Sequence, residues 1–181
     1  MKLQRFLSMA AGVILLGVSA CENVPNQPGG GVPAPQALGK GGTEGNGRVG
    51  GRTCLNYTVA TGCARTQGYW KNHNNWPCPF VPDGYICGRT RITLFEGLTT
   101  EPNGNPYWIL AQQYVPALLN KSANLGNISA ETQALIDEAR LFFLGRDPNA
   151  PIDAALRARV LEIARILDEF NNGLRELPSC G

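Results

Sequence analysis

The chain has 181 residues, of which 16 are Lys or Arg and 14 are Asp or Glu, and its formal net charge is +2. Two of the basic residues, Lys2 and Arg5, lie at the very start, so the rest of the chain carries 14 residues of each sign and is formally neutral. Because no basic stripe remains to neutralise phosphates, we do not expect a nucleic acid as partner.

Residues 1–20 have the pattern of a secretory signal peptide. Lys2 and Arg5 precede an apolar run over residues 6–18, which is shorter than the ~20 residues that span a bilayer. The run closes on Val18-Ser19-Ala20-Cys21, a segment that resembles the lipobox of bacterial lipoproteins. That resemblance implies cleavage before Cys21 and transfer of a diacylglyceryl group to its thiol. The alternative is an ordinary signal peptide followed by a chance cysteine.

Lipid on Cys21 would make the membrane the first partner of this chain, since each buried CH₂ contributes ~0.8 kcal/mol and two or more acyl chains hold stably. Glu22 follows the cysteine, and it is not the aspartate that retains lipoproteins at the inner membrane of enteric bacteria. We therefore expect a place in the bacterial cell envelope, with the outer membrane favoured over the inner one.

Residues 21–52 are expected to form a flexible linker, because glycine and proline dominate and bulky apolar side chains are nearly absent. A coil of ~30 residues would span roughly 30 Å. Residues 53–181 have the length of one domain with a real core. We expect a mainly α fold, with an irregular, disulfide-stapled N-terminal half and about three helices in the C-terminal half. Short extended pieces are expected at Leu55–Ala60 and Arg91–Phe95.

Three helices are predicted in the second half of the domain. Pro106 suits the first turn of a helix over Tyr107–Asn120, which Pro116 should kink or break. Ser129 is a good N-cap for a helix that runs to about Leu144, where Gly145 ends it. The last helix has apolar residues spaced by four and three and stops at Asn172-Gly173; these apolar residues are Leu156, Val160, Ile163, Leu167 and Phe170.

Five cysteines remain besides Cys21, and an exported chain favours disulfides. Cys78 and Cys87 flank a Pro-Asp-Gly turn signal, so we expect them to pair, with Cys63 and Cys180 as the second bridge and Cys54 free or paired between molecules. The rival scheme pairs Cys54 with Cys63 and leaves Cys180 free. Zinc sites use cysteine or histidine pairs two to four residues apart; no pair of these cysteines is that close, so no metal is expected.

The densest stretch is Thr66-Gln67-Gly68-Tyr69-Trp70-Lys71-Asn72-His73, followed by Trp76-Pro77. Here the chain resembles a family of uncharacterised secreted and lipoprotein-like bacterial proteins with a Thr-Gln-Gly-Tyr-Trp-Lys-Asn-His-x-x-x-Trp-Pro signature. The resemblance extends to residues 107–114, to Phe170-Asn171-Asn172-Gly173 and to Cys180. This chain departs from the pattern at Asn74-Asn75, at Gln112 and in its extra cysteines. The resemblance implies no activity, substrate or cofactor.

The signature allows two interpretations. In the first, it is a ligand site: Tyr69, Trp70 and Trp76 stack on sugar faces, Lys71 and Asn72 bind hydroxyl groups, and His73 is a further polar group of the site. In the second, which we favour, the aromatic residues form the core of a small subdomain and pair their polar tips internally, and His73 is a satisfied hydrogen-bonding residue.

No catalytic constellation stands out in the sequence. His73 is the single histidine, no Gly-x-Ser-x-Gly elbow is present, and the paired carboxylates fall on polar helix faces. We therefore expect a membrane-anchored envelope lipoprotein that displays a structural or interaction domain without enzymatic activity or cofactor. The alternative is a glycan-binding module that uses Tyr69, Trp70 and Trp76. The partner would be a glycan or an envelope protein.

Overall fold

The computed structural model describes residues 44–49, 52–73, 75–86 and 91–180. The predicted signal peptide of residues 1–20, the lipidation site Cys21, the linker up to residue 43 and Cys87 lie outside the described residues. Within the described part the chain is mainly helical, as predicted. The elements are β1 Glu44–Val49, β2 Arg52–Tyr57, α1 Gln67–Asn72, α2 Leu94–Thr99, α3 Pro106–Ala123, α4 Ala130–Phe143 and α5 Ala154–Asn171.

Helix α3 is the centre of the fold, because α1, α2, α4 and α5 all pack against it. Asn105 caps it by accepting a hydrogen bond from the Tyr107 N–H at 2.9 Å, and Pro106 takes the first turn, where its missing N–H costs nothing. The helix continues past Pro116 to Ala123, so of the two expected effects of Pro116, a kink or a break, the break is not present. Most residues of α3 are buried, on several faces of the helix, as expected for a helix with four neighbouring helices.

Helix α4 begins and ends where the sequence predicts, and α5 ends at the predicted Asn172-Gly173. Ser129 caps α4 and Asp153 caps α5, each with its side-chain oxygen on a first-turn N–H. Past their ends, Gly145 and Gly173 take positive φ angles of 68° and 72°, a conformation that glycine adopts without steric cost. These helices place phenylalanine, leucine and isoleucine side chains into one continuous core with α3.

Strands β1 and β2 form an antiparallel pair in which Glu44 faces Tyr57 and Val49 faces Arg52. Strand β1 lies within the segment that composition assigned to the linker, so the paired structure begins N-terminal to the predicted boundary at residue 52. Of the extended piece predicted at Leu55–Ala60, only the residues up to Tyr57 belong to a strand, β2.

The expected extended piece at Arg91–Phe95 is largely helical instead. Thr93 forms an isolated antiparallel bridge with Tyr85, but α2 begins at the next residue. A capping box explains the change: the Thr93 side chain accepts from the Glu96 N–H at 3.0 Å, and the Glu96 carboxylate accepts from the Thr93 N–H at 2.7 Å.

Two disulfides join distant parts of the chain. Cys63 is bonded to Cys180, as the favoured scheme has it, with their Cα atoms 5.1 Å apart. Cys78 is bonded to Cys54, which corrects both the expected Cys78–Cys87 bridge and the free Cys54, and also the rival Cys54–Cys63 pair.

Backbone pairing is the physical reason for the Cys54–Cys78 bridge. Leu55 N–H donates to the Trp76 carbonyl at 2.8 Å, and Cys78 N–H donates to the Leu55 carbonyl at 2.8 Å. These bonds lay the chain around Cys78 beside β2, which brings the Cα atoms of Cys54 and Cys78 to 5.1 Å. Such non-local pairing competes with the local turn at Pro82-Asp83-Gly84 and is not visible in cysteine spacing.

Candidate functional site

The signature segment, residues 66–77, starts with helix α1. Thr66 caps this helix by accepting a hydrogen bond from the Tyr69 N–H at 3.2 Å. The Gln67 side chain donates to the carbonyl of Leu98 at 3.1 Å and so ties α1 to the end of α2. The first residues of the signature therefore have local structural roles.

Both tryptophans of the signature segment are buried, each with 1% of its surface exposed. Trp70 Nε1 donates to the Asn120 side-chain oxygen at 3.1 Å, and Trp76 Nε1 donates to the Trp70 carbonyl at 3.2 Å. Buried tryptophans usually pair the indole N–H in this way. Since neither ring presents a face to solvent, the sugar-stacking platform of Tyr69, Trp70 and Trp76 does not exist in this structure.

The remaining polar members of the signature lie at the surface. Lys71, Asn72 and His73 are exposed, and Tyr69 is half-buried. The Tyr69 ring stacks on the His73 ring with centroids 3.9 Å apart, and the Arg65 guanidinium lies 4.2 Å from the Tyr69 ring centroid. These contacts occupy the aromatic ring with the chain's own cationic and polar groups.

His73 has a structural partner as well. Its Nδ1 lies 2.7 Å from the Tyr69 carbonyl oxygen, which can only accept, so Nδ1 carries the proton in this hydrogen bond. The three serines of the described residues have other partners: Ser122 donates to the Cys78 carbonyl at 2.6 Å, Ser129 caps α4, and Ser179 donates to the Cys180 carbonyl at 3.5 Å. Within the described ranges, no group of three or more His, Cys, Asp or Glu side chains is arranged to hold a metal ion.

A buried cluster of asparagines, which is absent from the sequence-based predictions, lies behind the signature segment. Asn120 is fully buried and forms four hydrogen bonds. Its oxygen accepts from the Arg65 N–H at 2.9 Å and from the Trp70 indole, and its nitrogen donates to the Arg65 carbonyl at 2.9 Å and to the Asn171 oxygen at 3.0 Å. One amide therefore joins α3, α5 and the signature segment.

The other two asparagines extend this network. The Asn124 oxygen accepts from the Gly62 N–H at 2.8 Å, and its nitrogen donates to the Cys63 carbonyl at 3.0 Å. Asn171 donates to the Gln113 carbonyl at 2.9 Å. A buried amide network whose groups are all paired specifies one arrangement of the elements it joins. The sequence does contain a signal for these buried asparagines. Asn120 and Asn124 continue the helical four-and-three spacing of the buried Leu110 and Ala117.

Charged groups hold the outer faces of α4 and α5. The Arg159 guanidinium forms two bonds of 2.7 and 2.5 Å to Glu138, and the hydrogen bond from Arg159 lowers the pKa of Glu138. At Glu176 burial raises the pKa, but hydrogen bonds from Thr132, its own backbone and Ser129 outweigh burial and leave the pKa lowered. The Arg159–Glu138 pair joins α5 to α4, and the bonds of Glu176 join the C-terminal segment to the start of α4.

Two further findings concern the apolar character of the helices and the similarity of the chain to known proteins. Among the helices of the described residues, none combines the length and the apolar character that crossing a bilayer requires. Comparison of the chain with protein-family models, with curated proteins and with solved structures gives no match.

Proposed function

We propose that this chain is a lipid-anchored bacterial envelope lipoprotein that displays a disulfide-bonded interaction domain without enzymatic activity. The observation that carries the proposal is Val18-Ser19-Ala20-Cys21 at the end of a short apolar run with a basic start. A Gly/Pro-rich stretch follows and would hold the domain away from the lipid surface.

The disulfides support an exported location. Four cysteines of the folded part form two bridges, Cys54–Cys78 and Cys63–Cys180. Structural disulfides persist in oxidising compartments such as the bacterial periplasm and cell surface and are rare in the cytosol. The bridges therefore support export of the chain.

The hydrogen bonds of the signature segment support a non-enzymatic role. His73 bonds through Nδ1 to the Tyr69 carbonyl and stacks on the Tyr69 ring, so its observed contacts lie within its own segment, as expected of a structural residue. The indole rings of Trp70 and Trp76 are buried in the core. We do not extend the glycan proposal, since it needs those two rings at the surface.

The decisive experiment is expression of the full chain in a bacterial host with Cys21→Ser and, as matched control, Glu22→Gln. We expect the wild type and Glu22→Gln to fractionate with membranes, with a diacylglyceryl mass on the Cys21 peptide. We expect Cys21→Ser to remain unprocessed or soluble. Membrane-bound wild type with an unmodified Cys21 thiol would contradict the proposal.

The outer membrane is the proposed location, because Glu22 is not the retaining aspartate. In an enteric host, density-gradient separation of the two membranes should place the wild type in the outer fraction and Glu22→Asp in the inner fraction. The same distribution for both proteins would remove the basis for this assignment.

A further inference from the structure

A cavity of about 370 Å³ opens at the N-terminal end of α3. Its walls are the turn that precedes α3, the loop between α4 and α5, and the first part of α5. This volume lies in the range of pockets that bind small molecules. The cavity is separate from the signature segment, which is hydrogen-bonded to α3 at Asn120, near the other end of the helix.

The cavity walls are tied together by hydrogen bonds. Asn103 and Gly104 have positive φ angles of 45° and 77°, and the Asn105 N–H donates to the Pro102 carbonyl at 2.8 Å, which makes a tight turn. The Asn105 side chain donates to the Pro148 carbonyl at 3.0 Å and so joins this turn to the opposite loop. The cavity is therefore formed before any ligand arrives.

Two arginines line the cavity, and neither is in an ion pair within the described residues. Arg146 lies with its guanidinium carbon 4.8 Å from the Phe142 ring centroid, and its Nε is buried without a hydrogen-bond partner in the described part of the chain. Arg157 donates one N–H to the Gly104 carbonyl at 3.2 Å, which leaves its other donors for a ligand.

The other arginines of α4, α5 and the C-terminal segment behave differently. Arg140, Arg159, Arg165 and Arg175 each contact at least one carboxylate. Among the described residues from α4 onward, the two arginines without an ion pair are Arg146 and Arg157, and both line the cavity. A carboxylate also lines it: the Asp147 oxygen accepts from the Asn149 N–H at 2.7 Å. The side chains thus give the cavity one net positive charge.

We propose that this cavity binds a small organic anion with one carboxylate or phosphate group. The guanidinium groups of Arg146 and Arg157 bind the oxyanion, because their planar forks match its geometry and form charge-assisted hydrogen bonds. Pro148 and Ile152 line the same cavity, are only half-buried, and supply apolar contact for the rest of the ligand. This inference goes beyond the proposed display function and does not depend on lipidation of Cys21.

The test is isothermal titration of the full chain in detergent at low salt with glucuronate, glucose 6-phosphate and uncharged glucose. We expect at least one of the two anions to bind and glucose to bind at least tenfold more weakly; the tighter anion identifies the oxyanion. Arg146→Gln and Arg157→Gln should each weaken binding at least tenfold. Arg159→Gln is the matched control, since it removes the same charge from α5 outside the cavity, and it should bind like the wild type.

A further variant tests the cavity without changing its charge, and circular dichroism checks that the variant is folded. Ala150→Trp leaves both arginines in place but fills the cavity from the loop, so it should abolish binding while far-UV circular dichroism stays unchanged. If either glutamine variant loses helical signal, the matching lysine variant replaces it and should bind more weakly than the wild type. Equal binding of glucose, no binding of either anion, or wild-type binding by Ala150→Trp would each overturn the proposal.

Discussion

Asn120→Leu should be among the most destabilising single changes in this domain. Leucine has a similar volume but removes the amide that bonds to Arg65, Trp70 and Asn171. The Trp70 indole N–H and the Asn171 oxygen lie in fully buried residues and would lose this partner. Each unsatisfied buried group costs about 1–3 kcal/mol, so the free energy of unfolding should fall by about 2–6 kcal/mol. The Arg65 backbone is only partly buried, so water can replace its lost bonds.

The assay is urea unfolding followed by far-UV circular dichroism, since helices dominate the signal. Asn72→Leu is the control: Asn72 Nδ2 also donates a hydrogen bond, to the Gly68 carbonyl at 2.9 Å, but at the surface, so its loss should cost less than about 1 kcal/mol. A loss below about 1 kcal/mol for Asn120→Leu with an unchanged m-value would refute the assignment of the buried network.

A double-mutant cycle isolates the contribution of the Trp70–Asn120 hydrogen bond. Trp70→Phe removes the donor that Asn120→Leu leaves unsatisfied. In the Trp70→Phe background, the additional cost of Asn120→Leu should fall by about 1–3 kcal/mol. Strict additivity of the two changes would show that the indole N–H does not depend on Asn120.

Two further predictions concern a close backbone approach and an ion pair. Gly173→Ala should cost about 2–4 kcal/mol in urea unfolding, because φ is +72° and a Cβ would collide with the backbone of Ser179; Gly62→Ala, at φ +70° in open space, should cost only about 1–2 kcal/mol. Because Arg159 holds the pKa of Glu138 below its ordinary value, this pair stabilises the fold above the unfolded-state pKa, and the stabilisation disappears as the pH falls through the lower folded-state pKa. Glu138→Gln should therefore lose less stability than the wild type between pH 7 and about pH 3, and equal losses would contradict the role of the pair.

The long helices could be predicted because their signals are local. Ser129 and Gly145 bracket an apolar period in the sequence, and the same residues bracket α4 in the structure. The short helix α2 was missed although its signal is also local: Thr93 and Glu96 have the spacing of a capping box. The β-branched and aromatic residues around them favoured a strand, and the cap decided the outcome.

The parts that could not be predicted depend on pairings between distant residues. Cys54 and Cys78 meet because Leu55 pairs with the backbone of Trp76 and Cys78, and no spacing rule contains that contact. The burial of Trp70 follows from Asn120, which lies 50 residues later in the chain. Sequence could name the aromatic residues of the signature segment, but the choice between a surface platform and a core required the fold.

The two ends of α3 have separate roles, and this separation makes the proposals testable one at a time. With 18 residues, α3 is about 27 Å long at ~1.5 Å per residue. Asn120 lies near its C-terminal end, whereas the cavity lies at Asn105 and Tyr107. Changes at sites this far apart, without shared partners, usually add independently. A folded Asn120 variant should therefore retain the anion affinity of the wild type, and Arg157→Gln should lose affinity without the large loss of stability expected at Asn120.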